Sequence, residues 1–193
     1  MTRASITAAA LAVLAAEGFA AMTFARVAER AGVSRGAVLH YFPRKGDLVV
    51  AAIEDGVAAA MRTLRDVATR ASGPDRDGQV LDAVYGIFRD ELYRGFLAAQ
   101  VEARDDAVLH ERLAGIVAAT NLEIAAITLA AWDLPTDEDT ETLVRLVTAT
   151  VRGLALLDPP GTRHDDATWA LARRSFARAI GERRGRRSDR PDA

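Results

Sequence analysis

The chain has 193 residues, of which 50% are hydrophobic, so it can bury one sizeable core or two small ones. It has no cysteine, which excludes disulfides and thiolate metal sites and fits a reducing cytoplasm. The net charge of −2 divides unevenly, because residues 1–50 carry six basic and three acidic side chains and therefore +3, which leaves −5 for the remainder. This asymmetry indicates a polyanionic partner at one end of the protein, with chance as the alternative because the excess is small.

The first predicted helix runs from about Ser5 to Glu17 and ends at Gly18, a residue type that commonly stops helices. Its apolar residues recur at helical spacing and form one face. The members of this face are Ile6, Ala9, Ala10, Val13 and Leu14. The apolar run at 4–16 lacks a basic start and meets Glu17 directly, so we expect no signal peptide. No stretch approaches the roughly 20 apolar residues of a spanning helix, so we expect a cytoplasmic protein without a membrane segment.

Two short helices are predicted next, over Phe24–Ala31 and from Arg35 to about Tyr41. Thr23 and Ser34 precede them and can act as their N-caps, because a hydroxyl oxygen accepts a hydrogen bond from the first turn. A tight glycine-containing turn joins the two helices. This arrangement predicts a helix-turn-helix.

Longer amphipathic segments predict six further helices. They lie at about residues 45–71, 80–92, 94–104, 108–132, 138–157 and 165–181. The tail from Arg183 onward is polar and rich in arginine, so we expect it to be disordered. The sequence thus predicts an all-α protein of about nine helices.

In a helix-turn-helix, the second helix enters the major groove of DNA and its first residues meet base edges. The first turns of both short helices attract phosphates through unpaired N–H groups and the positive end of the helix dipole. Arg35 can donate two hydrogen bonds to a guanine edge. Gly36 and Ala37 have little or no side chain, so the helix backbone can sit deep in the groove. Tyr41 and Lys45 lie near the far end, where the groove wall carries phosphates. The candidate DNA contacts are therefore Thr23, Ser34, Arg35, Gly36, Ala37, Tyr41 and Lys45.

Some of these side chains also have structural interpretations. Thr23 and Ser34 can serve as helix caps only, and Tyr41 can pack against Phe42 and the following helix. His40 is more readily explained as a structural or exposed residue than as a DNA contact.

The stretch from Thr23 to Lys45 resembles the DNA-binding domain of the tetracycline-repressor (TetR) family of bacterial regulators. The Ala-Gly-Val-Ser turn, the aromatic run before Pro43 and the lysine two residues beyond it all match. Lys45, the only lysine beside 24 arginines, stands where the family places a phosphate-contacting lysine. Leu39 departs from the pattern, because the family often has a DNA-contacting tyrosine there. The resemblance covers about residues 5–50.

The resemblance implies three segments: a DNA-binding domain at 1–46, an effector-binding and dimerisation domain at 47–182, and the tail at 183–193. The middle helices carry apolar faces with a few polar residues among them, which is typical of small-molecule sites. Phe88, Gln100 and Asn121 are the candidate effector contacts, and a plain core with satisfied polar residues is the alternative.

The last two long helices carry apolar stripes that predict a four-helix interface between two copies of the chain. Its candidate residues are Leu146, Val147, Leu154 and Phe176. The resemblance therefore implies a homodimer that binds an inverted-repeat DNA operator and a small apolar or amphipathic effector, most often as a repressor. Regulation without a small-molecule effector is the first alternative, and an all-α enzyme or carrier is the second.

Nothing in the sequence favours catalysis. The three histidines, His40, His110 and His164, lie far apart, and no convincing metal-ligand pattern surrounds them. The sequence has no Gly-rich phosphate loop. We therefore expect no enzymatic activity, no metal and no cofactor.

Overall fold

A computed structural model describes residues 3–157 and 166–188, and every long element in these ranges is an α-helix. The helices are α1 (Arg3–Ala21), α2 (Phe24–Ala31), α3 (Arg35–Tyr41), α4 (Lys45–Arg70), α5 (Arg76–Arg89), α6 (Glu91–Glu102), α7 (Ala107–Trp132), α8 (Glu138–Leu157) and α9 (Asp166–Ser188). One 3-10 turn, Ala103–Asp105, follows α6. The predicted all-α fold is confirmed, and α2, α3 and α8 have the predicted limits.

The described residues fall into two compact units. The first contains residues 3–60 and 89–121, and the second contains residues 61–88, 122–157 and 166–188. Besides residues of the predicted 1–46 segment, the first unit contains residues 47–60 and 89–121, and the predicted functional division of the chain stays a prediction.

The core of the first unit is built on the apolar face of α1. Ile6, Val13 and Leu14 are buried there, as the periodicity predicts. The same core includes buried residues of α2, α3 and α4, together with Leu109 and Leu113 of α7. The helix-turn-helix therefore shares one hydrophobic core with later parts of the chain.

Gly56 allows a close approach of three helices within this unit. A Cβ atom at Gly56 would lie 2.6 Å from Leu92 Cδ1 and 2.9 Å from Leu11 Cδ2. Atoms at these distances overlap, so a larger residue at this position would require the side chains of Leu11 and Leu92 to shift.

Gly18 interrupts α1 where the sequence predicts its end. Its φ of 83° and ψ of 175° are not helical, and a further helical turn then continues to Ala21. Glycine adopts this backbone without strain because it lacks a Cβ atom. The prediction of a break at Gly18 is correct, while the helical turn beyond it was missed.

The second unit has its own core and an ion-pair network that attaches α9. Trp132, Leu81 and Ile180 are fully buried in this core. Arg184 of α9 donates to the Asp77 carboxylate at 2.6 Å and to the carbonyl of Trp132 at 2.9 Å.

The prediction that a disordered tail begins at Arg183 is wrong. Helix α9 continues to Ser188, because Arg183 and Arg184 are held by carboxylates. Arg183 pairs with Asp137 and with Asp139, the latter at 3.0 Å. Residues 189–193 lie outside the described ranges.

Helices α1 and α7 are long and apolar enough to cross a membrane by length and composition, with a mean hydropathy of 1.7 over an 18-residue window in each. The expectation that no stretch approaches this limit is therefore corrected. Alanine explains the difference, because it raises the mean hydropathy of a helix without forming a long run of large apolar residues. Core helices pass the same test, and α1 contributes Ile6, Val13 and Leu14 to its unit's core, so this is weak evidence for a membrane segment.

Candidate DNA interface

The N-terminus of α2 is fixed by its predicted cap. Thr23 has extended backbone angles, φ −105° and ψ 157°, and its hydroxyl oxygen accepts a hydrogen bond from the Arg26 N–H at 3.2 Å. The Thr23 carbonyl accepts from the Val27 N–H at 2.9 Å. The cap role of Thr23 is therefore present, and its side chain is also exposed to a partner.

The turn between α2 and α3 depends on Gly32. This residue has a left-handed conformation, φ 67° and ψ 35°, which favours glycine. The Gly32 N–H donates to the Glu29 carbonyl at 3.2 Å, and the Val33 N–H donates to the Ala28 carbonyl at 2.9 Å. These bonds satisfy the last carbonyls of α2 and direct the chain into α3.

The N-terminus of α3 is capped by Ser34. Its Oγ accepts a hydrogen bond from the Ala37 N–H at 3.1 Å, and its extended backbone, φ −76° and ψ 151°, lies outside the helix. Val38 points inward and is fully buried, which holds α3 against the core of the first unit. The opposite face of α3 is therefore free to meet a partner.

The exposure of the predicted contacts fits a binding surface on α3. Ser34, Arg35 and Gly36 are exposed and Ala37 is half-buried. A Cβ atom at Gly36 would meet only Ser34 Oγ, at 3.9 Å, so the protein itself leaves open space there. Tyr41 is 46% exposed.

Positive charges at this surface differ in their availability. Arg26 Nε lies 3.0 Å from Glu17 Oε2, and this hydrogen bond lowers the pKa of Glu17. The Arg26 guanidinium is therefore already paired with a carboxylate of the protein, that of Glu17. Among the side chains that the structure describes, no carboxylate lies within ion-pair distance of Arg35 or Arg44, and both are exposed. Arg44, directly after Pro43, was not among the predicted contacts.

A cleft of about 320 Å³ brings three predicted contacts together. Its lining residues are Met22, Thr23, Phe24, Ala25, Arg35 and Lys45. Lys45 does not extend freely from this cleft, because its Nζ donates a hydrogen bond to the Phe19 carbonyl at 2.6 Å. The sequence could not indicate this partner, which lies 26 positions earlier in the chain.

The predicted effector contacts are distributed over both units. Phe88 belongs to the second unit and is 4% exposed, and its ring centroid lies 5.1 Å from the guanidinium carbon of Arg152. Gln100 and Asn121 belong to the first unit and are half-buried. Their role as effector contacts stays a prediction.

Three of the predicted interface residues lie on α8, where they differ in exposure, and the fourth, Phe176, lies on α9. Leu146 is 55% exposed, whereas Val147 and Leu154 are only 2% and 9% exposed. The side chains of Val147 and Leu154 are therefore already buried within a single chain, and the role of all four residues in a dimer interface stays a prediction. Leu157, which belongs to the predicted stripe, and Leu171, which was not predicted, are both exposed, while Phe176 is half-buried.

An exposed, capped α3 on a helix-turn-helix defines a DNA-binding protein, and comparisons with known proteins give its family. Residues 6–52 match the bacterial regulatory proteins of the tetR family. The HTH-type transcriptional regulator CymR of Pseudomonas putida is 33% identical over 161 residues, which are 80% of this chain and 78% of CymR. The chain therefore belongs to the tetR family of bacterial transcriptional regulators.

Solved structures agree with this assignment. A transcriptional regulator from Rhodococcus sp. is 26% identical, with a TM-score of 0.65 over 95% of this chain and 96% of that one. A regulator of the tetR family from Mesorhizobium loti has a TM-score of 0.70 over 93% of this chain and 97% of that one. At 16% identity, this second likeness concerns the fold alone.

Proposed function

We propose that this protein is a cytoplasmic homodimeric repressor that leaves its DNA operator when a small apolar or amphipathic effector binds. The observation that carries the proposal is the N-terminal half of α3, where the exposed Arg35 guanidinium lies between Gly36 and Ser34, the residue that caps the helix. This surface has small side chains beside a positive charge, and the buried side chain of Val38 anchors the opposite face of α3 in the core.

The proposed DNA contacts are of two kinds, those that recognise bases and those that bind backbone phosphates. Arg35 meets a guanine edge in the major groove, where a guanidinium can donate two parallel hydrogen bonds. Gly36 and Ala37 allow the helix backbone to approach the bases. Thr23, Ser34 and Tyr41 contact backbone phosphates from the two ends of the helix pair. These last contacts fix orientation and add affinity without reading sequence.

The proposed dimer interface uses the exposed apolar face of α8 together with α9. Leu146, Leu157 and Leu171 are 55%, 76% and 61% exposed, and Phe176 is half-buried. Two such helices from each subunit form a four-helix interface that removes this apolar surface from water. A two-fold dimer presents two copies of α3, so the operator is an inverted repeat with half-sites about one helical turn apart or slightly more.

The proposed effector acts through the dimer. Binding of an apolar or amphipathic molecule weakens DNA affinity, and DNA weakens effector affinity by the same factor, with a coupling on the order of 1–3 kcal/mol. Phe88, Gln100 and Asn121 are the residues to test individually as effector contacts.

Two experiments test this function. Selection of bound duplexes from a random pool should yield inverted repeats, and failure to enrich any duplex would contradict DNA binding. A thermal-shift screen of apolar and amphipathic compounds should find ligands that raise the melting temperature and release the selected duplex. A broad screen without such a ligand favours the alternative regulator that has no small-molecule effector.

A further inference from the structure

The side chain of Arg26, in α2, is bound to Glu17, the last residue of α1 before the break at Gly18. Arg26 Nε donates to both carboxylate oxygens of Glu17, at 3.2 Å and 3.0 Å, and Arg26 Nη2 donates to Glu17 Oε1 at 2.9 Å. Paired hydrogen bonds between a guanidinium and a carboxylate are stronger and more directional than a single one. Arg26 Nη1 donates to Glu29 Oε2 at 2.9 Å, but Glu29 lies on α2 itself. Glu17 is therefore the partner that links the two helices.

The place of Glu17 in the chain gives this ion pair its importance. At Gly18 the backbone leaves the helical conformation, and the chain then leads to Thr23, the cap of α2. Arg26 lies in the first turn of α2, and its own N–H donates to the capping hydroxyl of Thr23 at 3.2 Å. The ion pair thus spans the break and fixes the first turn of α2 against α1.

Few apolar side chains hold α2 in this position. The helix has eight residues, of which Val27 and Ala28 are buried. A helix of this length spans about 12 Å, so a tilt of about 5° displaces its far end by about 1 Å. The turn at Gly32 joins α3 to that end, so such a tilt also displaces Arg35. Hydrogen bonds to base edges tolerate a range of only about 0.5 Å, so the orientation of α2 affects recognition.

The charge of Glu17 has the wrong sign for a direct role in binding DNA. The Arg26 guanidinium lowers the pKa of Glu17, while Glu17 and then Glu29 raise the pKa of Arg26, so the pair is ionised at neutral pH. A carboxylate in a DNA-binding unit repels phosphates, so its charge by itself weakens binding. The hold on Arg26 gives this carboxylate a role that its charge alone does not.

We infer that Glu17 is a positioning residue for DNA recognition, which acts through the Arg26 guanidinium to hold α2, and thereby α3, in the orientation that the operator requires. This inference rests on the proposed function, because its effect is measured as preference for the operator. It predicts that removal of a negative charge weakens operator binding, which is the opposite of the electrostatic expectation.

Two matched substitutions separate position from charge. Glu17→Gln and Glu29→Gln each remove one negative charge and one carboxylate partner of Arg26, but only Glu17 lies on another helix. We expect Glu17→Gln to weaken binding to the selected duplex by about tenfold, since each of two subunits loses one ion pair. Binding to a scrambled duplex should be unchanged or tighter, because non-specific binding depends on charge. Glu29→Gln should weaken binding to neither duplex.

Three results would overturn the inference. In the first, Glu17→Gln binds the selected duplex as tightly as the native protein or more tightly. In the second, Glu17→Gln loses the same factor of affinity on both duplexes. In the third, Glu29→Gln loses as much operator affinity as Glu17→Gln.

A double-mutant cycle tests the partner. Glu17→Gln should cost little operator affinity in an Arg26→Gln background, because the ion pair is already absent there. Fully additive losses would overturn an action through Arg26. The melting temperature of each variant is measured, and affinities are compared at a temperature at which all variants are folded. Native protein that enriches no duplex would contradict the proposed function itself, whereas native binding with an unaffected Glu17→Gln variant overturns only this inference.

Discussion

The first prediction concerns Leu146 on the exposed face of α8. Leu146 is 55% exposed in one chain, and two-fold symmetry places two copies at the proposed interface. Complete burial of a leucine side chain contributes about 1.5–3 kcal/mol, so covering its exposed part contributes about 1 kcal/mol per subunit. Leu146→Ala should therefore weaken the dimer by about 2 kcal/mol, or about 30-fold in Kd.

Glutamate at the same position is a stronger perturbation. An unpaired charge buried in the interface costs several kcal/mol, so Leu146→Glu should be monomeric at micromolar concentration and should lose operator binding. Sedimentation equilibrium over a concentration series measures both variants. The control is Leu154→Ala on the same helix, because Leu154 is 9% exposed and its truncation should lower the free energy of unfolding by about 2–5 kcal/mol. A Leu146→Glu protein with the native dimer Kd would refute the assignment of this interface.

Two further predictions concern α3 and the attachment of α9. Gly36→Leu should keep the fold, because only Ser34 Oγ lies within 4 Å of the new Cβ atom. It should nevertheless weaken operator binding by more than about tenfold, or about 1.4 kcal/mol. A variant with native operator affinity would show that α3 does not enter the groove closely. A hydrogen bond from Arg183, with smaller contributions from Thr140, lowers the pKa of Asp137 from 3.8 to about 2. The ionised Asp137 carboxylate therefore stabilises the fold above pH 3.8, and this contribution to the free energy of unfolding is lost as the pH falls toward 2. Arg183→Gln should reduce that acid dependence in thermal melts at pH 2 to 5, and an unchanged pH profile would contradict the role of the ion pair.

Local signals explain why several elements were predicted correctly. Helices α2 and α3 begin after hydroxyl caps at Thr23 and Ser34, and α8 begins after Asp137, whose carboxylate accepts from the Thr140 N–H at 3.0 Å. A cap acts within three residues of the helix it starts, so one stretch of sequence contains the whole signal.

Contacts between distant residues explain what the sequence could not show. Arg183 looks like part of a solvated arginine-rich tail, because its partner Asp137 lies 46 positions earlier. Leu146 and Val147 are both large and apolar, so periodicity alone did not show which of them faces the core and which faces solvent. The carbonyl that binds Lys45 has no sequence signature at all, since every residue has a backbone carbonyl.

The central claim, that the N-terminal half of α3 reads DNA bases, is tested most directly at Arg35. Binding sites are selected from a random pool by the native protein and by Arg35→Ala, and their base preferences are compared. The native protein should select an inverted repeat, and Arg35→Ala should lose its preference at one base position per half-site at a cost of about 1–3 kcal/mol. An Arg35→Ala protein that selects the same bases with the same discrimination would contradict the placement of α3 on the DNA.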